Sequence, residues 1–273
     1  MKKLLSLLLA VLMITALFTG CGSKPAANTE GEVKDTSLED VKAAGEIIIG
    51  LDDTFAPMGF RDEAGKLVGF DVDLAEAVAK ELGVTAKFQP IDWSSKEMQL
   101  DTDKVDLLWN GLSITDERKQ KMMLTDPYLN NKMVIMTNKG SDIKTVADLI
   151  GKKIGVQAAS YALDLVMANE NYEAMKENIN EYADYDLALT DLNNGRIEAI
   201  IIDEVLGKYK NANLGDKYDF ADEDLGPDEY GVGMKLGSDA LYAAITEALE
   251  TVKGNGVAAE ISEKWFGDDI IVR

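Results

Sequence analysis

Histidine is absent from the 273-residue sequence, and cysteine occurs once, at Cys21. Without histidine the chain lacks the commonest general base, the serine and cysteine catalytic triads, and nearly all zinc chemistry. A single cysteine forms no disulfide within the chain, so stability must come from a packed core. The length is ample for such a core and predicts one large domain or two lobes.

Basic residues are outnumbered: 28 Lys and Arg stand against 49 Asp and Glu, a formal net charge of −21. A field of this sign repels nucleic acid and anionic lipid headgroups, so neither is an expected partner. The simplest interpretation of this negative charge is that it keeps the protein soluble. The alternating acids Asp101, Asp103 and Asp106 lack the Gly at the sixth position and the Glu at the twelfth position of a calcium loop. We therefore predict no metal and no other cofactor.

The one long apolar run lies at the N-terminus, between the basic start Lys2-Lys3 and Cys21. A charged start, roughly 15 apolar residues and small residues before a cleavage point are typical of a secretory signal. The run is shorter than the about 20 apolar residues of a transmembrane span. Because the cysteine directly follows Thr19-Gly20, the signal resembles that of a bacterial lipoprotein, which is cut before a cysteine that then carries the lipid. The alternative is an ordinary signal with a coincidental cysteine.

We therefore predict a signal peptide at residues 1–20 and a flexible linker at residues 21–36, lipidated (palmitate) at Cys21. The linker is polar and has no apolar periodicity, which is typical of an unstructured tether. The expected location is the cell membrane, on its extracytoplasmic face.

The rest of the chain alternates between strand and helix patterns. Residues 47–49 are a β-branched run, which is typical of a strand buried on both faces. Residues 71–82 place apolar side chains on one helical face and stop at Gly83. An alternating strand pattern follows at residues 84–88. Strand, helix and strand at this spacing predict a parallel α/β sheet.

The pattern restarts after Pro127-Tyr128. Residues 197–202 and 230–234 are predicted strands, and helices are predicted at 239–253 and 257–265, at the end of the chain. The pattern thus restarts near Asn131 and again near Tyr230.

Four segments resemble family 3 extracellular solute-binding proteins, the polar amino-acid receptors of ABC importers. They are GFDVDLAEAVAKEL at 69–82, NGLSITDER at 110–118, LNNGRIEA at 192–199 and KWFG at 264–267. The resemblance covers residues 37–267 with the motifs in the family's order.

The resemblance implies an α/β, two-lobed periplasmic-binding-protein-like clamshell (type II), each lobe a sheet flanked by helices. Lobe 1 comprises residues 37–131 and 230–273, and lobe 2 residues 132–229. The ligand is expected in the cleft, where two crossings form a hinge. The implied protein is not an enzyme but a monomeric lipoprotein that delivers a polar amino acid, with cystine or a glutamine-like ligand favoured, to a membrane permease.

A bound amino acid needs a fixed cation for its carboxylate, because an unpaired buried charge is costly. Arg118 suits this role, since its guanidinium binds a carboxylate through two parallel bonds. The resemblance implies the same role. The alternative is an exposed arginine paired with Asp116 or Glu117.

The ligand ammonium needs a fixed anion. The resemblance places that carboxylate at Asp203, after the predicted strand 197–202, where α/β sheets present ligand groups. The alternative is a helix cap, since Asp caps well. Ser113 is expected to add a hydroxyl and a backbone donor, and its alternative is an ordinary turn residue.

Other candidates line the expected cleft. Ser160 and Tyr161 open a predicted helix whose N–H groups reach the carboxylate from lobe 2, although relatives often have Gly-Ser-Ser or Gly-Thr-Thr where this chain has Ala159-Ser160-Tyr161. Asn110 and the Gly111 carbonyl are expected to help define the ammonium and side-chain sites.

The resemblance also implies aromatic walls on either side of the ligand side chain, at Phe55 and Trp93. The alternative for both is ordinary core packing. Asp52 follows the first strand and is expected to meet a distal polar group of the ligand.

Two other functions remain open. One is an enzyme on the same clamshell, such as a dehydratase or a wall-cleaving lytic enzyme, but no carboxylic acid stands out as a poised catalyst and the lytic enzymes carry a further catalytic domain. The other is an amino-acid-sensing receptor subunit, although such receptors are usually fused to a transmembrane portion and this chain ends at Arg273.

Overall fold

The computed structural model describes residues 34–273, so the predicted signal peptide, Cys21 and most of the predicted linker lie outside the described residues. The described chain forms α-helices at these positions: α1 Ser37–Ala44, α2 Phe70–Leu82, α3 Lys96–Asp101, α4 Tyr161–Ala168, α5 Tyr172–Met175, α6 Tyr185–Asn193, α7 Glu204–Asn213, α8 Asp239–Gly254 and α9 Val257–Phe266. Its strands are β1 Glu46–Leu51, β2 Thr54–Phe55, β3 Gly59–Arg61, β4 Leu67–Val68, β5 Thr85–Pro90, β6 Leu107–Ser113, β7 Met122–Leu124, β8 Leu129–Asn138, β9 Ile154–Gln157, β10 Ile179–Tyr182, β11 Ala199–Asp203 and β12 Tyr218–Lys235.

The main sheet has the order β10-β9-β11-β8-β12-β6-β1-β5, with β7 beside β12. At one end β1 pairs in parallel with β5 and β6, and at the other β9 pairs in parallel with β10 and β11. The central strands β8 and β12 run antiparallel to each other. Two parallel blocks with flanking helices, joined by antiparallel strands, confirm the predicted α/β fold. A small sheet of β2, β3 and β4, which the sequence pattern did not predict, lies apart from the main sheet.

Strands β8 and β12 connect the two blocks, for which we keep the names lobe 1 and lobe 2 with the predicted bounds. Within this pair Asn131 lies opposite Asp228, and Leu129 lies opposite Tyr230. Beyond Tyr230, β12 leaves β8 and pairs with β6 and β7 of lobe 1. The strand predicted at 230–234 is therefore the last part of a strand that starts at Tyr218. Its first half was missed because acidic residues and a Gly-Pro pair interrupt the alternating pattern.

The core explains the apolar run in β11. All five residues of this strand are buried. Ile200 and Ile202 pack into the larger core cluster, while Ala199 and Ile201 pack into a second cluster with β9 and α4. Because both faces of the strand are covered, every position is apolar until Asp203 at the strand end. Burial of one such isoleucine side chain stabilises the fold by about 1.5–3 kcal/mol.

Two of the four family motifs meet inside lobe 1. Gly69 precedes α2 with φ of 149°, and a side chain there would overlap the Met58 carbonyl oxygen. The next residue, Phe70, packs against Phe266 of the KWFG segment with ring centroids 5.1 Å apart. Trp265 Nε1 donates a 2.7 Å hydrogen bond to Asp73 Oδ2. These residues join α9 to α2, so these contacts have a structural role.

No helix within residues 34–273 combines the length and the apolar composition that a bilayer crossing requires.

Candidate functional site

A narrow cavity lies between lobe 1 and lobe 2. Its empty volume is about 290 Å³, part of which is open to solvent, and only about 10 Å³ admits the centre of a water molecule, so the two lobes nearly touch around it. Its lining consists of Phe55, Trp93, Asn110, Gly111, Ser113, Arg118, Met133, Gln157, Ser160, Tyr161 and Asp203. The structure thus brings together all the predicted ligand-binding residues except Asp52. Sequence reasoning missed Met133 and Gln157.

A wider, open groove with an empty volume of about 970 Å³ runs beside Phe60 and Tyr209. Its charged side chains Asp186 and Lys210 already form an ion pair with each other. These two side chains therefore offer no unpaired charge to a ligand in the groove. Among residues 34–273, no group of three or more Cys, Asp or Glu side chains is placed to hold a metal ion.

Arg118 is buried, with 5% of its surface exposed. Its Nη1 donates a 2.9 Å hydrogen bond to the Ser113 carbonyl oxygen. The exposed arginine considered as an alternative is wrong, because Asp116 and Glu117 instead form ion pairs with Lys119 and Lys121 at 3.9 and 2.8 Å. Burial lowers the pKa of Arg118, and Asp164 and Asp228 partly offset this shift. A guanidinium has five N–H donors, so donors remain for an anion in the cavity.

Lobe 2 contributes the first turn of α4 to the same cavity. Ser160 occupies the N-cap position, and its Oγ accepts a 3.2 Å hydrogen bond from the Leu163 N–H. Ala159 has φ of 54°, a left-handed backbone conformation that favours glycine. The free N–H groups at the start of a helix favour an anion. The arrangement is therefore compatible with a carboxylate held between α4 and Arg118.

Asp203 lies at the end of β11, and 4% of its surface is exposed. Its Oδ1 accepts hydrogen bonds from Tyr230 Oη at 2.6 Å and from Asn131 Nδ2 at 2.8 Å. Asp203 occupies the N-cap position of α7, as its alternative interpretation expects, but its side chain makes no capping hydrogen bond and is left for other contacts. Burial, and secondly repulsion from Asp228, raise the pKa of Asp203 to about 7.

A second buried carboxylate lies beside it. Asp228 Oδ2 accepts hydrogen bonds from Asn131 Nδ2 at 3.0 Å and from Ser113 Oγ at 3.1 Å. Burial raises the pKa of Asp228 to about 6. Sequence reasoning missed both Asn131 and Asp228. The available signal was their position, since both are polar residues next to the predicted chain crossings.

Two aromatic side chains form walls of the cavity. Phe55 and Trp93 are each 6% exposed. The Phe55 ring lies 6.3 Å from the Tyr185 ring of lobe 2, and Lys96 Nζ lies 5.3 Å from the centre of the Trp93 ring. Both rings line the cavity as well as the packed interior, so the two interpretations offered for them do not exclude each other.

Gly111 is held from two sides. Its φ is 56°, and a Cβ there would lie 2.9 Å from Cε1 of Phe55. Its N–H donates a 2.7 Å hydrogen bond to Oδ2 of Asp71, a buried residue of the GFDVDLA motif. Asn110, the preceding residue, accepts a 3.1 Å hydrogen bond from the Asp52 N–H through its Oδ1. The GFDVDLA motif therefore supports the cavity without lining it.

Asp52 lies one hydrogen bond away from the cavity. Its Oδ2 accepts a 2.7 Å bond from Gln157 Nε2, which crosses from lobe 2 to lobe 1. Its Oδ1 accepts from the Thr54 N–H at 2.9 Å and from Thr54 Oγ1 at 2.7 Å. Burial raises the pKa of Asp52. Gln157, not Asp52, therefore presents the polar surface to the cavity.

Lys96 makes a further polar contact between the lobes. Its Nζ donates a 2.8 Å hydrogen bond to the Ala159 carbonyl oxygen, next to Ser160. The side chain is buried, and burial lowers the pKa of Lys96 to about 8. The two pairs, Asp52–Gln157 and Lys96–Ala159, thus join the lobes at the cavity.

Comparisons with known proteins agree with this architecture. Residues 47–268 match the model of bacterial extracellular solute-binding proteins, family 3. The L-cystine-binding protein TcyJ of Escherichia coli strain K12 is 33% identical over 266 residues, which cover 94% of each chain. The ABC transporter glutamine-binding protein GlnH of Bacillus subtilis strain 168 is 29% identical over 275 residues, covering 98% of this chain and 99% of the relative.

Solved structures give the same result. A substrate-binding protein of an ABC uptake transporter from Streptococcus pneumoniae, with bound histidine, superposes with a TM-score of 0.82 at 37% identity, covering 88% of this chain and 99% of that one. The structure of Tv2483 bound to L-arginine superposes with a TM-score of 0.81 at 27% identity, covering 88% and 98%. These relatives are binding proteins and not enzymes. The chain belongs to family 3 of the bacterial extracellular solute-binding proteins.

Proposed function

We propose that this protein is the lipid-anchored extracellular receptor of an amino-acid ABC importer, which captures a free polar L-α-amino acid and delivers it to the membrane permease. One observation carries the proposal. One narrow cavity is lined by a buried cation from lobe 1, Arg118, and a buried carboxylate from lobe 2, Asp203. These are the two charges that complement an α-carboxylate and an α-ammonium.

Each charged end of an amino acid has partners in this cavity. The carboxylate binds the fork of Arg118 and the N–H groups at the start of α4. The ammonium binds Asp203 and the hydroxyl of Ser113. Because both ligand charges lose water when the lobes close, each needs a fixed opposite charge, and the cavity supplies one of each.

The side chain of the ligand lies between Phe55 and Trp93, with Gln157 as the polar group at the wall. Gln157 Nε2 donates to Asp52 Oδ2 and to the Ala183 carbonyl oxygen, so its Oε1 is left as an acceptor for a ligand with a distal donor. This favours polar side chains such as those of cystine and glutamine. The names of relatives include L-cystine-binding and glutamine-binding proteins, and also arginine-binding and histidine-binding ones.

Closure of the lobes is the step that signals the bound state. The contacts Gln157–Asp52 and Lys96–Ala159 form only when the lobes meet. A ligand held by both lobes stabilises the closed form, and the permease recognises that form because it presents both lobes in a fixed relation.

The anchor follows from the sequence alone, because Cys21 lies outside the described residues. A palmitate-bearing lipid on Cys21 retains a monomeric receptor at the extracytoplasmic face of the membrane. A linker of about 15 residues spans roughly 20 Å on average, which keeps the receptor close to a permease.

A ligand screen tests the proposal directly. The melting temperature is measured with L-cystine, L-glutamine, L-arginine and L-histidine, each beside its D-enantiomer. An L-amino acid at 100 times its Kd adds about 2.7 kcal/mol to the free energy of unfolding, which raises the melting temperature by several degrees. If no L-amino acid raises it above its D-enantiomer, the proposal is wrong.

Asp203→Asn is expected to weaken binding of the amino acid that the screen identifies by about 2 kcal/mol or more, at least tenfold in Kd. The amide removes the charge that pairs with the ammonium while keeping the size of the side chain. Isothermal titration calorimetry measures the change. Asp222→Asn, an exposed position on β12, is the control and leaves Kd within twofold. An unchanged Kd in Asp203→Asn rules out the ammonium assignment.

Arg118→Lys is also expected to weaken binding at least tenfold, although it keeps the charge. A lysine ammonium is a point charge and does not reproduce the two parallel bonds of the guanidinium. The same substitution at the exposed Arg196, which is paired with Asp191 at 2.8 Å, is the control. Affinity equal to that of the wild type in Arg118→Lys contradicts a bidentate carboxylate contact.

Cys21→Ser is expected to release the protein from the membrane fraction into the medium or periplasm, because the variant has no thiol to lipidate. Fractionation followed by immunoblotting measures the distribution, and incorporation of labelled palmitate into the wild type alone is the matching control. Persistent membrane association of the variant would falsify lipid anchoring.

A further inference from the structure

Five polar side chains form a cluster where the two lobes join, which we call the hinge polar cluster: Ser113, Asn131, Asp203, Asp228 and Tyr230. Asn131 on β8 lies opposite Asp228 on β12, so the two connecting strands contribute directly to it. Ser113 and Asp203 also line the cavity. The cluster therefore connects the cavity with the strands that join the lobes.

The donors of this cluster are all used. Tyr230 has one hydroxyl proton, which it donates to Asp203 Oδ1. The Asn131 amide has two protons, which it donates to Asp203 and Asp228. Ser113 has one, which it donates to Asp228 Oδ2. An ionised carboxylate only accepts hydrogen bonds, so these directions are fixed by chemistry.

What the cluster presents to the cavity is therefore a set of acceptors. A serine hydroxyl normally rotates and serves as donor or acceptor. Because Ser113 donates to Asp228, its remaining lone pairs are left for the cavity. Together with the carboxylate of Asp203, they match a group that has several N–H donors and no acceptor.

The stability of the fold does not explain why position 228 is an aspartate. It is 5% exposed, and its second oxygen, Oδ1, is buried and accepts no hydrogen bond from any described residue. A buried acceptor without a partner destabilises the fold by about 1–3 kcal/mol. A neutral residue at this position avoids that cost, so the acid is better explained by its effect on Ser113.

We propose that Asp228 is a positioning residue for ammonium capture, which holds the Ser113 hydroxyl as an acceptor and thereby makes this subsite specific for an α-ammonium group. The inference rests on the proposed function, and it assigns a role to a residue that does not itself line the cavity. An α-hydroxyl or a neutral substituent in the place of the ammonium brings too few donors for this set of acceptors.

Asp228→Asn tests the inference by calorimetry with whichever of L-cystine, L-glutamine, L-arginine and L-histidine binds the wild type most tightly. The amide oxygen accepts hydrogen bonds more weakly than the carboxylate does, so the Ser113 hydroxyl is held less firmly and can turn its proton toward the cavity. We expect Kd to rise at least tenfold. Glu229→Gln removes the same charge from the next residue, which is exposed, and leaves Kd within twofold. A Kd for Asp228→Asn within twofold of the wild type overturns the inference.

A double-mutant cycle distinguishes positioning from a general loss of structure. If Asp228 acts through Ser113, then Asp228→Asn in a Ser113→Ala background weakens binding less than threefold. If instead the loss of affinity in the double variant equals the product of the two single losses, the two residues act independently and the inference is wrong.

The pH profile gives an independent readout. Burial raises the pKa of Asp203 to about 7 and that of Asp228 to about 6. The charged and titratable groups facing them are Arg118, Tyr161, Tyr185 and Tyr230. A bound ammonium favours the ionised carboxylates, so the affinity is full above these pKa values and falls as the pH drops through 7 and then 6. Asp228→Asn removes the repulsion that raises the pKa of Asp203. The loss of affinity on acidification therefore starts at a lower pH in this variant than in the wild type. An unshifted profile overturns the inference.

The outcomes separate the two proposals. A wild type that binds no amino acid refutes the proposed function, whereas a wild type that binds while Asp228→Asn binds equally well refutes only the role of Asp228. If Asp228→Asn fails to fold, shown by its melting temperature without amino acid, the wild type is titrated with the Nα-methyl derivative of the same amino acid. Loss of one donor is expected to weaken binding at least tenfold, and equal affinity overturns the acceptor-only subsite.

Discussion

The cost of removing two opposite charges from water governs this structure. A zwitterion buried without partners loses several kcal/mol for each charge, so a closed cavity binds it only if a cation and an anion are already in place. Arg118 and Asp203 meet this requirement from different lobes, and both are almost fully buried. Arg118 and Asp203 lie on different lobes, so in the proposed function binding of the head group depends on closure.

The pairing of β8 with β12 makes such an arrangement possible. These strands place Asn131 opposite Asp228 at the point where the chain passes between lobes. Asn131 bonds Asp203 of lobe 2, and Asp228 bonds Ser113 of lobe 1. The ammonium end of the proposed site is therefore built on the connection itself, whereas the carboxylate end is built on Arg118 of lobe 1 and the start of α4 in lobe 2. Movement of one lobe relative to the other then changes the distance between the two ends.

Local sequence patterns predicted much of the fold and of the site. They failed where a residue's role depends on partners that are distant in sequence. The α/β fold followed from the apolar run in β1 and the amphipathic α2, and the family motifs placed Arg118 and Asp203 in one cleft. The first half of β12 was missed, because its acids are stabilised by pairing with β8 and not by an apolar face. Gln157, Asn131 and Asp228 were missed for the same reason: their partners lie 105, 72 and 115 positions away. Single polar residues carry no periodicity that reveals such contacts.

The most direct test of the account is whether both charges of the head group are required. Calorimetry compares the amino acid that binds with its α-hydroxy acid, which lacks the ammonium, and with its α-carboxamide, which lacks the carboxylate. The account predicts that each analogue binds at least 100-fold more weakly, about 2.7 kcal/mol in binding free energy, because each leaves Asp203 or Arg118 buried without its partner. Affinity within tenfold of the amino acid for either analogue would contradict capture of the zwitterion by the two lobes.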